Sequence, residues 1–165
     1  MKNVVMLATT HQHQMATSDA ASGLGKCLNY LESRFKVQRS VDLQIVMEEW
    51  HENLGETVAR EFATRSGLRW ASVGTPDEEQ FRTYRGPICF PGHNGTLQSD
   101  GDAPEMYEYG PFENQEARER RMTENVQTEM ENYEGGLLVV GLAHTHSLFG
   151  KLQSAGFSVA AFSWL

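Results

Sequence analysis

The sequence predicts an α/β fold: a single domain over residues 1–165, with a mainly parallel sheet of about five strands, helices on both faces and a long inserted loop. Three observations predict it. Short aliphatic runs recur without polar alternation, as strands buried on both faces do, and Leu137–Val140 is the clearest. Between these runs lie segments whose apolar residues return every three or four positions, the helical period. Glycines and polar turns separate the two kinds of segment, so the chain reads β-α-β-α-β-(loop)-α-β-α-β.

The elements follow in order. Val4, Val5, Met6, Leu7 and Ala8 make a first strand over 3–9, and the polar stretch 9–14 reads as a turn. Leu24, Cys27, Leu28, Leu31 and Phe35 give an amphipathic helix over 20–36, with Ser18 or Asp19 as its N-cap. Leu43, Ile45, Val46 and Met47 form a second strand that runs directly into Glu48 and Glu49. Leu54, Val58 and Phe62 share a helix face over 52–65, closed by Gly67, and 68–73 reads as a third strand. Between residues 74 and 112 the periodicity stops. This segment carries all five prolines, and its length fits a lid or specificity loop, a binding loop or a disordered segment, while its apolar residues would equally serve a dimer interface. A charged helix over 114–133 places Met122, Val126, Met130 and Tyr133 in register, and Gly135-Gly136 ends it. The Leu137–Val140 strand, a helix over 146–154 and a last strand over 157–164 complete the alternation.

Composition narrows the function classes. Fourteen basic residues against 22 acidic ones give a net charge of −8, which repels polyphosphate and disfavours nucleic acid as a partner. No apolar run has the length to cross a bilayer, and the N-terminus lacks a signal-peptide pattern, so no membrane partner and a cytoplasmic location are expected. Cys27 and Cys89 lie far apart without metal-type spacing and read as reduced thiols.

In a parallel sheet the C-terminal strand ends share one edge, where ligands bind. Three of those ends carry groups that hold cations or move protons: His11 and His13, Glu48 and Glu49, and His144 and His146. Imidazole and carboxylate together suit zinc, manganese, cobalt or iron. Such a cation polarises a carbonyl or supplies hydroxide at neutral pH, and a remaining carboxylate serves as base. His11 and His144, beside the buried strand ends, are the expected imidazole ligands. His13 and His146 read as surface or capping residues, and His51 and His93 as structural. Of the two glutamates, one points into the crevice and the other away.

The order of these features resembles the TraB, TIKI, ChaN and erythromycin-esterase-like group of α/β proteins. The pieces that carry the resemblance are ATTHQHQ (8–14), IVMEEW (45–50), the run Arg118-Glu119-Arg120-Arg121-Met122, Gly141-Leu142-Ala143-His144, and KLQSAGFSV (151–159). The resemblance implies a crevice in which metal-dependent hydrolysis, including proteolysis, has been proposed. It makes His11 and His144 ligands or acid–base groups, Glu48 or Glu49 the carboxylate, and Arg118 a cation facing substrate or a developing oxyanion. Thr10 stands where the group commonly has a glutamate. No side-chain role is assigned to Glu119.

The expected function is therefore a divalent-metal-dependent, hydrolase-like activity on a small-molecule or peptide substrate. Glu48, Glu49, Arg118 and His144 are its catalytic candidates. His11, Glu49 and His144 are the ligands of a manganese, cobalt or zinc ion. The alternative is a non-catalytic protein that binds a small ligand or a partner in the same crevice. Association of the chain with itself fits either reading.

Overall fold

The aliphatic runs form strands, and the strands form one sheet. β1 spans Asn3–Thr9, β2 Ile45–Glu48, β3 Arg69–Ser72, β4 Gly135–Gly141 and β5 Ser158–Ser163. They pair in the order β3-β2-β4-β1-β5, every pair parallel. The helices are α1 (His11–Gln14), α2 (Ala21–Gln38), α3 (Val58–Ser66), α4 (Phe112–Glu129) and α5 (Thr145–Ser154), the last preceded by a 3₁₀ turn over Leu142–His144. The computed structural model describes residues 1–16, 21–38, 41–50, 55–74 and 112–164; within these, the side chains of residues 11, 12, 21, 35–38 and 112–114 are not described. The predicted loop over 74–112 therefore lies almost wholly outside the described residues, as do His51, His93 and Cys89.

Both sheet faces are buried, because a strand turns successive side chains to opposite sides. Val4, Met6, Ile45, Met47, Leu138 and Val140 pack against Met122 and Val126 of α4 and Leu148 and Leu152 of α5. Val5, Leu7, Val46, Leu137 and Val139 pack against Leu24, Leu28 and Leu31 of α2 and Val58 and Phe62 of α3. The α/β sheet with helices on both faces is thus the predicted one. No described helix is long and apolar enough to cross a membrane.

Two local expectations change. The stretch after β1 is not a plain turn: His11–Gln14 closes one helical turn, with the amides of His13 and Gln14 donating to the Thr10 carbonyl at 3.0 and 3.3 Å. Gly135 and Gly136 do not terminate α4, which ends at Glu129; they are the first residues of β4. Gly135 pairs with Asn3 across the sheet, and its carbonyl accepts from Gln44 N–H at 2.9 Å. A Cβ at Gly135 would stand 2.1 Å from the Asp42 carbonyl oxygen, so the glycine admits a close backbone approach. By contrast Gly67 does end a helix, at φ 67°, with its amide returning to α3.

The connections set where a ligand can enter. Those leaving β1 and β2 lead to α2 and α3 on one face, and that leaving β4 leads to α5 on the other. β4 lies between β1 and β2, so its C-terminal end sits where the connections diverge, the usual ligand position in open parallel sheets.

Gly135→Ala should drive a methyl group into the Asp42 carbonyl and lower stability by about 1–3 kcal/mol. A urea melt of the variant checks this; an unchanged midpoint would show that the 41–44 segment moves aside freely.

Candidate functional site

The end of β2 sets the geometry. Its side chains alternate, so Val46 and Glu48 face α2 and α3, and Glu49, one residue on, faces α4 and α5. The Glu49 amide still donates to the Val139 carbonyl at 2.9 Å, and the chain then bends, with Trp50 N–H donating to the Glu48 carbonyl at 2.9 Å.

On the α2/α3 side the Glu48 carboxyl is fully enclosed. Oε1 accepts from Gln14 Nε2 at 3.2 Å, and Oε2 accepts from the Thr57 hydroxyl and from Trp70 Nε1 at 3.0 Å. Thr57 is also the N-cap of α3, its hydroxyl oxygen accepting from Arg60 N–H at 3.1 Å. Burial pushes the Glu48 carboxyl up to about 7, against the lowering effect of the Thr57, Trp70 and Gln14 hydrogen bonds and the Arg60 charge. One carboxyl therefore joins α1, α3 and β3 to the end of β2.

On the α4/α5 side four charged groups meet a histidine. Glu49 is buried; Arg118 Nη2 of α4 donates to its Oε1, and Gly141 N–H at the end of β4 donates to its Oε2 at 2.9 Å. His144, also buried, closes the 3₁₀ turn that follows β4. Its Nδ1 lies 3.1 Å from Glu119 Oε1, a hydrogen bond in which the ring donates, because a carboxylate only accepts. Its Nε2 lies 3.5 Å from Glu49 Oε1, beyond good hydrogen-bond length. When the ring is neutral, the proton Glu119 accepts is on Nδ1 and the lone pair is on Nε2; when it is protonated, both nitrogens carry a hydrogen. Lys151 of α5 donates to Glu119 Oε2 at 3.3 Å and to Ser147 Oγ at 2.7 Å. Burial raises the Glu119 carboxyl, but hydrogen bonds from His144, Ser147 and Lys151 and the charge of His144 outweigh it, so its pKa falls below the ordinary value. The sequence of groups is Lys151, Glu119, His144, Glu49, Arg118: cations at both ends, two carboxylates, an imidazole between.

Of the residues singled out in the sequence, Glu49, Arg118 and His144 come together. Glu48 does not join them; the alternation of β2 carries it to the opposite face. His11 opens α1, and its side chain lies outside the described residues. His13 Nδ1 faces the Thr10 hydroxyl at 2.7 Å and His146 is an exposed first-turn residue of α5, both placed as caps or surface groups. Among the described residues no three His, Cys, Asp or Glu side chains are grouped to hold an ion. Two members of the cluster had no assigned role: Glu119 and Lys151. Glu119 was legible one turn before Met122 on the stripe Met122, Val126, Met130, where a carboxylate has to find a partner. Lys151 carried no such signal, being a half-buried cation on an amphipathic helix.

Comparisons of the chain with protein-family models, characterised proteins and solved structures gave no match.

The raised Glu48 pKa fixes a sign. Between about pH 4.5 and 7 the folded chain holds a proton that the unfolded chain releases, so this group's contribution is complete at the acid end and lost as pH rises. Glu48→Gln, neutral throughout, should gain stability relative to wild type from pH 5 to pH 8, by about 3 kcal/mol at most. Paired urea titrations across that range measure it; a constant difference would remove Glu48 as the titrating group.

Proposed function

We propose that the chain is a cytoplasmic, hydrolase-like protein whose site is the Glu49–His144 pair at the ends of β2 and β4, with a divalent cation such as manganese, cobalt or zinc. The observation that carries the reading is the mutual geometry of that pair. His144 Nε2 and Glu49 Oε1 stand 3.5 Å apart, about the separation of two donors bonded to one ion at roughly 2.0–2.2 Å. Glu119 on Nδ1 is the outer carboxylate that ligating histidines usually have. His11 remains the proposed third ligand, by the resemblance of its motif. When bound, such a cation polarises a carbonyl and lowers the pKa of its water.

The chain's own residues do the rest. Glu119 holds the proton on His144 Nδ1 and aims Nε2 at Glu49. The Gly141 amide pins Glu49 Oε2 and leaves Oε1 toward the imidazole. Arg118 supplies a permanent positive charge beside the place where negative charge develops on a substrate oxygen. The low exposure of Glu49, Arg118 and His144 strengthens each of these interactions. The substrate class is a carbonyl-bearing small molecule or peptide. A non-catalytic binding protein is the second reading, favoured by the charge balance: Arg118 compensates Glu49 and Lys151 compensates Glu119.

Tag-free protein should carry close to one transition-metal ion per chain by elemental analysis, or gain several degrees in Tm on adding manganese, cobalt or zinc. Glu49→Gln and His144→Ala should lose both responses. A metal-free wild type whose Tm ignores all three ions would overturn the metal reading and leave the binding protein.

A further inference from the structure

We infer that β5 is a self-pairing edge, on which a second copy of the chain lays its own β5 antiparallel about a twofold axis through Ala161. The inference does not depend on the metal reading.

β5 is one of the two outer strands of the sheet and pairs with β1 on one side only. Its register decides which backbone groups are spent. Ser158 N–H donates to the Lys2 carbonyl at 2.9 Å and Trp164 N–H to the Ala8 carbonyl at 2.8 Å, so the even-numbered residues turn their backbone groups to β1. The N–H and C=O groups of Val159, Ala161 and Ser163 therefore point out of the sheet. Among the described residues none of these groups has a partner. Ala160, Ala161, Phe162 and Ser163 are exposed, so no described helix overhangs the edge.

Such an edge is usually blunted by a charge, a proline, a bulge or short length. β5 carries none of these: SVAAFS runs six residues in unbroken register without an ionisable side chain. The opposite edge differs. β3 has four residues and bears Arg69, which pairs with Glu129 at 2.7 Å.

The spacing of the outward groups selects the occupant. In an antiparallel pair, facing residues that exchange both hydrogen bonds alternate with facing residues that exchange none. Turned about Ala161, a second β5 sets Ala161 against the partner's Ala161 and Val159 against the partner's Ser163. Every outward group is then used, in about six hydrogen bonds. Between these pairs Ala160 meets the partner's Phe162, a residue 40% exposed in the single chain. Turning about Ala160 instead would set Ser163 against the partner's Phe157, whose amide already donates to the Leu152 carbonyl at 3.1 Å. The net charge of −8 opposes the approach of two copies, and β5 is an edge that adds no like charge of its own. A six-residue strip is about 20 Å long and covers less than the roughly 800 Å² per partner of a standard interface. The dimer is therefore concentration-dependent, with a Kd between about 1 μM and 1 mM.

Analytical ultracentrifugation of the untagged 165-residue chain across that range tests the inference. The weight-average mass should rise toward twice that of one chain. Ala161→Lys and Ala161→Glu set like charges against each other across the axis, and each should weaken association at least about tenfold. An equimolar mixture of the two should recover it, because position 161 meets itself only in this register. A wild type that stays monomeric throughout overturns the proposal, as does a dimer that both substitutions leave intact. Loss in both variants without recovery in the mixture overturns it as well. Should the variants fail to fold, amide hydrogen exchange on wild type gives a second readout. The Val159, Ala161 and Ser163 amides should exchange freely in dilute protein and at least about tenfold more slowly in concentrated protein. Equal exchange at both concentrations overturns the proposal, whether the amides are open or already covered by another segment of the chain.

Discussion

A strand sends neighbouring side chains to opposite faces, and at the end of β2 this period of two falls on a pair of carboxylates. Glu48 is enclosed by neutral donors from α1, α3 and β3, while Glu49 meets Arg118, Gly141 and His144. The Glu49 amide still bonds to β4, so the divergence is set at the exit of the strand, where the sheet holds the backbone. The site inherits its rigidity from that ladder: one carboxylate is fixed by the sheet, and the histidine is fixed one turn beyond the neighbouring strand.

The two carboxylates live by different rules. Glu48 has hydrogen bonds but, among the described residues, no cation in direct contact, so desolvation dominates and raises its pKa. Glu49 and Glu119 each lie against a cation, Arg118 and Lys151, in a compact row of alternating charge. Such rows are poor stabilisers compared with hydrophobic packing, yet breaking one leaves an uncompensated buried charge at a cost of about 3–5 kcal/mol.

Most of the fold was legible because burial on both sheet faces writes itself as unbroken aliphatic runs, and the helices as threes and fours. What misled was local. Gly135-Gly136 looks like a helix stop, but the demand it answers is steric and comes from Asp42, a residue far off in sequence. His11–Gln14 has no apolar periodicity, so a single turn of helix there leaves no trace in the pattern. In the site, the strand ends announced Glu49 and His144, and the resemblance added Arg118. Glu119 was passed over because four charged residues in a row, 118–121, read as a solvated face; the helix in fact turns two of the four inward. That Glu48 and Glu49 part company followed from strand geometry. Which of them meets the histidine required knowing the face on which α5 returns.

The Thr57 hydroxyl has a single hydrogen, and this settles a question of bookkeeping at Glu48. Its oxygen already accepts the Arg60 amide, so its hydrogen goes to Glu48 Oε2, which takes a second one from the Trp70 indole. A proton bound by the neutral carboxyl accordingly resides on Oε1, facing the Gln14 carboxamide. A carboxamide is two-ended: its nitrogen serves the ionised acid, and its oxygen, reached by a half-turn of the same group, serves the neutral one. Gln14 Oε1 is buried and has no hydrogen-bond partner among the described residues. The first turn after β1 is thus tethered to β2 in either protonation state, and only the polarity of the tether reverses.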